Sequence, residues 1–201
     1  MFESGQIAAP AIMALTVAIS LLGMYRLPVI INKFLFRPYF FLRHRQYDTM
    51  VMSGFIHADV GHLLFNMFTF YFFAFPMERL IGTTRFLALY FVGLVVSHTC
   101  TYVKQRNNPE YASLGASGAV SAVLFAYIVY FPTATLIIFP LPIPIPAALF
   151  AVGYVGYSYW ASEHSRGRIN HDAHLCGALS GLAFVAATDF GAFTRLPAIF
   201  A

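Results

Sequence analysis

Charged residues are scarce in this 201-residue sequence, where they make up 10% of the chain against 59% for hydrophobic residues. A soluble globular domain carries about 25% charged residues. With so few charges the surface cannot face water on all sides, which excludes an ordinary soluble domain. The mean hydropathy of +0.70 and apolar runs near the roughly 20 residues that cross a bilayer together predict an integral membrane protein.

Cysteine is also rare. Cys100 and Cys176 both lie in apolar runs, and this pattern predicts neither a disulfide scaffold nor a zinc cluster. The formal charge of +4 is modest and spread over the connections, which favours contact with lipid headgroups over nucleic-acid binding. The first apolar run lacks the basic start and the cleavage site of a signal peptide, so we expect it to remain as a span.

Six apolar segments predict an all-α, polytopic bundle of six transmembrane helices that forms a single domain over residues 1–201. The segments are 7–25, 58–77, 86–103, 112–131, 146–161 and 171–190. The longest connection, 24–55, mixes basic with aromatic residues, which is typical of a segment in the membrane interface. A regular helix is ruled out between the fourth and fifth spans by Pro140, Pro142, Pro144 and Pro146.

Polar residues inside the spans are costly and call for an explanation. Ser117 opens the fourth span and His174 lies near the start of the sixth. Alone, each is more typical of helix packing or of a hydrogen bond between helices. Together they form a candidate nucleophile and base, because an imidazole can accept the proton of a serine hydroxyl. The two spans enter the membrane from the same side, so both residues can lie at the same depth.

Glycines near these two residues favour close packing of their helices. Gly177 and Gly181 follow His174 at a spacing of four residues, on one face of the sixth span. Such a pair lets another helix backbone approach closely. We expect that neighbour to be the fourth span at Gly118, which would bring the imidazole towards Ser117.

His62 and Asn66 lie four residues apart and share one face of the second span. They are candidate donors to an oxyanion, together with the Ser117 backbone N–H, and a polar clamp between helices is the alternative. A metal site is a further alternative, since several histidines and aspartates lie at the same ends of the spans. Those residues are His57, Asp59, His62, His171, Asp172 and His174. Their spacing does not match H-E-x-x-H, and we expect no metal and no cofactor.

In this order the motifs resemble those of the rhomboid family. Residues 54–59 (GFIHAD) and 62–67 (HLLFNM) resemble its second-helix signature, and Glu78-Arg79 with Gly82 resembles its turn into the third helix. Residues 115–118 (GASG), which include Gly115 and Gly118, resemble its G-x-S-G nucleophile motif. Residues 173–175 (AHL), with Gly177 and Gly181, resemble its histidine helix. The resemblance extends over most of the chain, from about Tyr47 to Asp189.

The resemblance implies an intramembrane serine protease of the minimal six-helix form, which cleaves single-span membrane-protein substrates. It implies Ser117 as nucleophile, His174 as base without an aspartate, and His62 with Asn66 as oxyanion donors. It also implies that the fifth helix and its cap loop form the substrate gate. The candidate gate residues are Phe150, Tyr154, Tyr157 and Trp160. We expect a bacterial inner membrane as the location and a lipid bilayer, not nucleic acid, as the partner.

Two features depart from the family pattern. Ser121 stands where many members carry an aromatic residue that stacks on the catalytic histidine, so another group must hold the imidazole. The positive-inside rule would place the odd-numbered connections in the cytoplasm, whereas the resemblance implies an active site that opens away from it, and we follow the resemblance. The alternative functions are an inactive rhomboid-like protein that binds membrane clients, and a small transporter.

Overall fold

The computed structural model describes residues 7–137, 143–164 and 169–200, and these ranges are mainly helical. The helices are α1 (Ala8–Tyr25), α2 (Pro28–Phe34), α3 (Pro38–Arg43), α4 (Thr49–Met52), α5 (Val60–Ile81), α6 (Thr83–Gln105), α7 (Ser117–Tyr130), α8 (Ala147–His164) and α9 (His171–Thr188). Short 3-10 helices cover Ser53–Phe55 and Phe190–Phe200. Strands β1 (Thr135–Ile137) and β2 (Pro144–Pro146) pair antiparallel.

Six long helices coincide with the six predicted apolar segments, and the predicted all-α polytopic bundle is confirmed. Of the described helices, α1, α5 and α6 are by themselves long and apolar enough to cross a membrane. Helix α9 passes the same test together with the 3-10 segment that follows it after a bend of 113°. Helix α7 is apolar but has only 14 residues.

Helix α7 is the centre of the bundle. From Gly118 to Tyr130 every residue except Tyr127 is buried. A helix that is apolar on all sides is stable where other helices surround it, and α5, α6 and α9 pack around this one. Because protein and not lipid covers it, α7 does not need the full length of a membrane span.

The first connection folds as three short helices and a 3-10 turn. Pro28 and Pro38 occupy first-turn positions of α2 and α3, where a missing N–H costs nothing. Part of the aromatic content faces protein and not the interface: Phe36 is fully buried, with its ring centroid 4.8 Å from that of His98 in α6. Phe36 also exchanges two backbone hydrogen bonds with Ser113, which ties this connection to the loop before α7.

Two other predictions concern connections that the structure describes in part. Between α7 and α8, residues 135–137 and 144–146 form the hairpin of β1 and β2, in agreement with the absence of regular helix predicted there. Pro140 and Pro142 lie outside the described residues, as do Arg166 and Arg168, which entered the charge count for orientation.

The structure contains a disulfide bond that the sequence pattern did not suggest. Cys100 in α6 and Cys176 in α9 form a disulfide, with their Cα atoms 6.5 Å apart. The pairing depends on how α6 and α9 are rotated against each other, and a spacing of 76 residues along the chain carries no sign of that rotation.

The N-terminus of α1 is capped by a residue from another helix. Glu78 of α5 is 2% exposed, and its carboxylate accepts hydrogen bonds from the backbone N–H groups of Ile7, Ala8 and Ala9 at 3.2, 2.9 and 2.8 Å. The hydroxyl of Thr83 donates a fourth bond at 2.7 Å. Helix α1 has no capping side chain of its own, so Glu78 satisfies N–H groups that would otherwise be orphaned and anchors α1 to α5.

Replacing Glu78 with alanine should therefore lower the stability of the bundle. Hydrogen bonds to charged groups each contribute about 1.5–3 kcal/mol, and we expect Glu78→Ala to lose at least about 2 kcal/mol because several bonds end together. Thermal unfolding of the purified protein in detergent measures the effect. The control is Glu110→Ala, which removes an exposed carboxylate. Equal melting temperatures for the two variants would contradict the capping role.

Candidate active site

The loop before α7 sets the position of Ser117. Gly115 has a φ of +109°, a conformation that residues with a side chain rarely adopt, and its N–H donates to the Ser53 carbonyl at 2.8 Å. This turn delays the start of the helix, so the predicted fourth segment begins as helix at Ser117 and not at residue 112. Ser117 is the first helical residue and is half-buried.

His62 lies over this turn. A Cβ atom placed on Gly115 would come within 2.7 Å of His62 Cε1 and 2.9 Å of Nε2, so the missing side chain makes room for the imidazole. His62 sits in the first turn of α5, where its backbone N–H donates to the Asp59 carboxylate at 2.8 Å. That capping bond fixes the start of α5. It thereby holds the imidazole against Gly115, which precedes Ser117 by two residues.

Helices α7 and α9 approach through their backbones. A Cβ atom on Gly177 would overlap the Gly118 carbonyl, and one on Gly181 would overlap the Ala122 carbonyl. The expected contact between the sixth and fourth spans therefore exists in the structure at Gly118. Gly118 follows Ser117 by one residue, and Gly177 follows His174 by three. The contact therefore brings together the two helix starts that bear Ser117 and His174.

His174 lies in the first turn of α9 and is half-buried. The cap of this helix is Asn170, whose side-chain oxygen accepts from Ala173 N at 3.1 Å and whose amide donates to Thr101 Oγ1 of α6 at 2.9 Å. Against the imidazole lie the ring of Tyr154, with a centroid distance of 6.4 Å, and the ring of His171, at 6.2 Å.

The Gly118–Gly177 contact brings together the helix starts that bear Ser117 and His174, and the two side chains form no hydrogen bond with each other. Across the ranges that the structure describes, no side-chain hydrogen bond is recorded for Ser117 Oγ or for either ring nitrogen of His174. Bonds between nucleophile and base are often long until substrate binds. Within the described ranges, neither side chain is therefore engaged in a competing hydrogen bond.

Asn66 is 4% exposed and lies one turn below His62. Its amide nitrogen donates to the His62 carbonyl at 3.0 Å, which leaves one of its two N–H bonds for another acceptor. His62 and Asn66 thus lie on one face of α5, as their spacing predicts, and the His62 ring is close to the loop that leads into Ser117.

His57 has a structural environment. Its ring is fully buried, with Nδ1 3.0 Å from Ser20 Oγ of α1, and the Ser20 hydroxyl donates to the Phe55 carbonyl at 3.1 Å. Burial, followed by the neighbouring His62, lowers the pKa of His57 to about 3, so the ring is neutral at physiological pH. The neutral ring packs edge-on against His62 at 4.8 Å and supports it from the side of the first connection.

A second buried histidine was not singled out from the sequence. His98 in the middle of α6 is 4% exposed, and its ring nitrogens contact Ser53 Oγ at 3.0 Å and the Leu94 carbonyl at 2.9 Å. Because Ser53 also receives the Gly115 N–H, this pair supports the turn before Ser117. A histidine inside an apolar run was the signal that could have found it.

The histidines do not converge on one point. Within the described ranges, no three side chains of His, Cys, Asp or Glu are grouped as metal ligands would be. His57 pairs with His62, and His171 with His174, each pair at the start of its own helix.

Comparison with known proteins gives the same family as the motifs. Residues 44–188 match the family model described as Rhomboid domain. The chain is 35% identical over 147 residues to the zebrafish (Danio rerio) presenilin-associated rhomboid-like protein A, mitochondrial, covering 68% of this chain and 36% of that protein. It is 31% identical over 145 residues to the Arabidopsis thaliana RHOMBOID-like protein 12, mitochondrial, covering 65% and 43%.

A yeast relative aligns over more of the chain. The Saccharomyces cerevisiae rhomboid protein 1, mitochondrial, is 26% identical over 177 residues, which cover 85% of this chain and 50% of that protein. The chain thus spans half the length of these relatives or less. All three are named as mitochondrial, so they give no support to the expected bacterial inner membrane, whereas a multi-pass membrane protein is confirmed.

The contact between α7 and α9 can be tested by adding one methyl group. Gly177→Ala should push the helices apart and destabilise the bundle by about 1–3 kcal/mol, as overpacking does. The control is Gly153→Ala in α8, where a Cβ atom would meet nothing within 4 Å and alanine favours the helix. Thermal unfolding in detergent compares the two variants. If Gly177→Ala and Gly153→Ala had the same melting temperature, the close contact would be refuted.

Proposed function

This chain belongs to the rhomboid family, and we propose that it is an intramembrane serine endopeptidase with Ser117 as nucleophile and His174 as general base. The observation that carries the proposal is the backbone contact of Gly177 with Gly118. It draws the starts of α7 and α9 together, and those starts bear the two residues. Helix packing of this closeness is what a dyad drawn from two helices requires.

The proposed reaction needs only these two side chains and water. Ser117 Oγ attacks the carbonyl carbon of a peptide bond while His174 accepts the hydroxyl proton. The C–N bond then breaks as His174 returns that proton to the leaving amine. A water molecule, deprotonated by His174, next attacks the acyl-enzyme, and its hydrolysis regenerates Ser117.

His62 and Asn66 are the proposed donors to the oxyanion that forms in both steps. Two observations support this role. The His62 ring lies over Gly115, and Asn66 uses one of its two amide N–H bonds on the His62 carbonyl, so the other remains available. The Ser117 backbone N–H is the third donor, because the first N–H groups of a helix have no partner within it. Donors fixed in this way act on charge that develops only in the transition state.

The proposed substrates are transmembrane segments of other membrane proteins, which would reach the site from the side. Helix α8 is the proposed gate. Its outward face is apolar, with Leu149 63% and Val152 73% exposed, and the glycine positions 153 and 156 face open space. The candidate gate residues Phe150, Tyr154, Tyr157 and Trp160 lie on this helix. Most of the cap loop that follows lies outside the described residues.

The decisive test is chemical labelling of the nucleophile. A fluorophosphonate should label the wild-type protein at Ser117 and should label neither Ser117→Ala nor His174→Ala, and both variants should lose cleavage of a model single-span substrate by at least about 10⁴-fold. Ser162→Ala, which removes an exposed hydroxyl bonded to its own helix, is the matched control. Unchanged melting temperatures establish that the variants are folded.

Two outcomes would decide against the proposal. Cleavage retained by Ser117→Ala would exclude the serine mechanism. A folded wild-type protein that binds membrane segments but neither reacts with the reagent nor cleaves would instead be the inactive, client-binding protein that the sequence left as the alternative.

The oxyanion role predicts a specific kinetic change. Asn66→Ala and His62→Ala should each lower kcat by about 10²–10³-fold with KM nearly unchanged, because the lost bond forms only in the transition state. Thr69→Ala is the control on the same helix, since its exposed hydroxyl bonds to the Phe65 carbonyl. A rise in KM at constant kcat would assign His62 and Asn66 to substrate binding.

A further inference from the structure

A tyrosine ring from α8, the proposed gate helix, lies against the ring of His174. Ser121, one turn after Ser117, carries no ring that could stack on the imidazole. The ring of Tyr154 from α8 lies nearly parallel to that of His174, with an angle of 24° and a centroid distance of 6.4 Å, which is an offset stack. The Tyr154 hydroxyl lies 2.7 Å from Ser121 Oγ, so the serine binds the far end of the same ring.

Tyr154 is fixed by more than this hydrogen bond. Its ring centroid lies 5.3 Å from that of Phe125 in α7 and 5.5 Å from that of Phe150 in its own helix. The two phenylalanines restrict where the ring can lie, and the bond to Ser121 restricts how far it can slide. Together these contacts define the surface against which the imidazole rests.

Within the described ranges, the ring of His174 donates to no carboxylate and takes part in no side-chain hydrogen bond. Besides Tyr154, the ring of His171 lies edge-on against it at 6.2 Å. His171 itself leans edge-on against Tyr157, also of α8, at 5.5 Å. Both histidines at the start of α9 therefore rest on tyrosines of α8.

We propose that Tyr154, held by the Ser121 hydroxyl, is the positioning residue for His174, so that α8 must be packed on α7 for the base to be correctly oriented. The inference rests on the proposed protease function. Without an acidic partner, the imidazole depends on the Tyr154 ring for its tilt towards Ser117. Because the ring belongs to α8, any displacement of that helix that admits a substrate also withdraws the support of the base.

The attachment of α8 indicates how such a displacement would occur. At the end of α8, the Lys104 ammonium donates to the Ser162 carbonyl at 2.6 Å and to the carboxylates of Glu163 and Asp172 at 3.1 and 3.0 Å. This cluster ties that end of α8 to α6 and α9. Tyr154 precedes Ser162 in α8 and lies about 12 Å from it along the helix axis, at 1.5 Å per residue. A tilt of α8 about the cluster would therefore separate Tyr154 from both Ser121 and His174.

Three single variants and one double variant test the positioning role in the purified full chain. Tyr154→Leu, which removes the ring, should lower kcat/KM by about 10²-fold, as a misplaced catalytic group does. Tyr154→Phe and Ser121→Ala each remove one hydroxyl of the same hydrogen bond, and each should lower kcat/KM about fivefold. Because both remove one bond, the double variant should be no slower than either single variant. The loss should appear in kcat, with KM unchanged.

The rate of fluorophosphonate labelling distinguishes a role of Tyr154 in positioning His174 from a role in admitting the substrate. The reagent is small and does not need a displaced gate, so it should react more slowly with each variant by the same factor as cleavage. Tyr159→Leu and Tyr159→Phe are the matched controls, because Tyr159 lies on α8 with 65% of its surface exposed. These controls should label and cleave at the wild-type rate, and melting temperatures report on folding.

Wild-type labelling rates in all three variants, or faster cleavage by Tyr154→Leu, would overturn the inference and leave Tyr154 as a gate residue in an active protease. Additive losses from Tyr154→Phe and Ser121→Ala would overturn the role of the shared hydrogen bond. Should Tyr154→Leu fail to fold, the two single-hydroxyl variants decide the question. Failure of the wild-type protein itself to label would instead refute the proposed function.

Discussion

The backbone contact between α7 and α9 is the constraint on which the site depends. Within a bilayer the hydrophobic effect does not drive helices together, and association relies on close packing of small residues and on hydrogen bonds. Gly177 and Gly181 leave no space between α9 and the carbonyls of Gly118 and Ala122. These glycines fix the crossing and bring together the helix starts that bear Ser117 and His174, so the geometry of the proposed dyad follows from helix packing.

Several buried polar groups around the turn before Ser117 are paired with one another. His98 bonds to Ser53, and Ser53 in turn accepts the N–H of Gly115, while His57 bonds to Ser20 and supports His62. An unpaired polar group is expensive where water is absent, so these bonds stabilise the layer around the turn before Ser117. The first connection and α6 therefore contribute to the site although neither supplies a proposed catalytic group.

Much of this arrangement could be predicted from the sequence, and the remainder could not for a physical reason. Apolar runs gave the six long helices, and the spacing of Gly177 and Gly181 predicted the close approach to α7. The bond of Ser121 to Tyr154, 33 residues away, and the cap that Glu78 places on α1, 70 residues away, depend on how each helix is rotated about its axis. The apolar pattern is weak evidence for rotation here, since these helices are hydrophobic on most sides.

Within the described residues, the proposed base His174 has no carboxylate bonded to its ring and rests instead on the Tyr154 ring. A carboxylate buried against that ring would have to lose its hydration, which is costly. A serine and a tyrosine that bond to each other are neutral, and they can orient an imidazole by contact alone. The proposed arrangement has a consequence that a fixed carboxylate would not have. Because the tyrosine belongs to α8, the proposed base would be fully supported only when this helix is packed, so that entry of a substrate and alignment of the dyad would be successive steps.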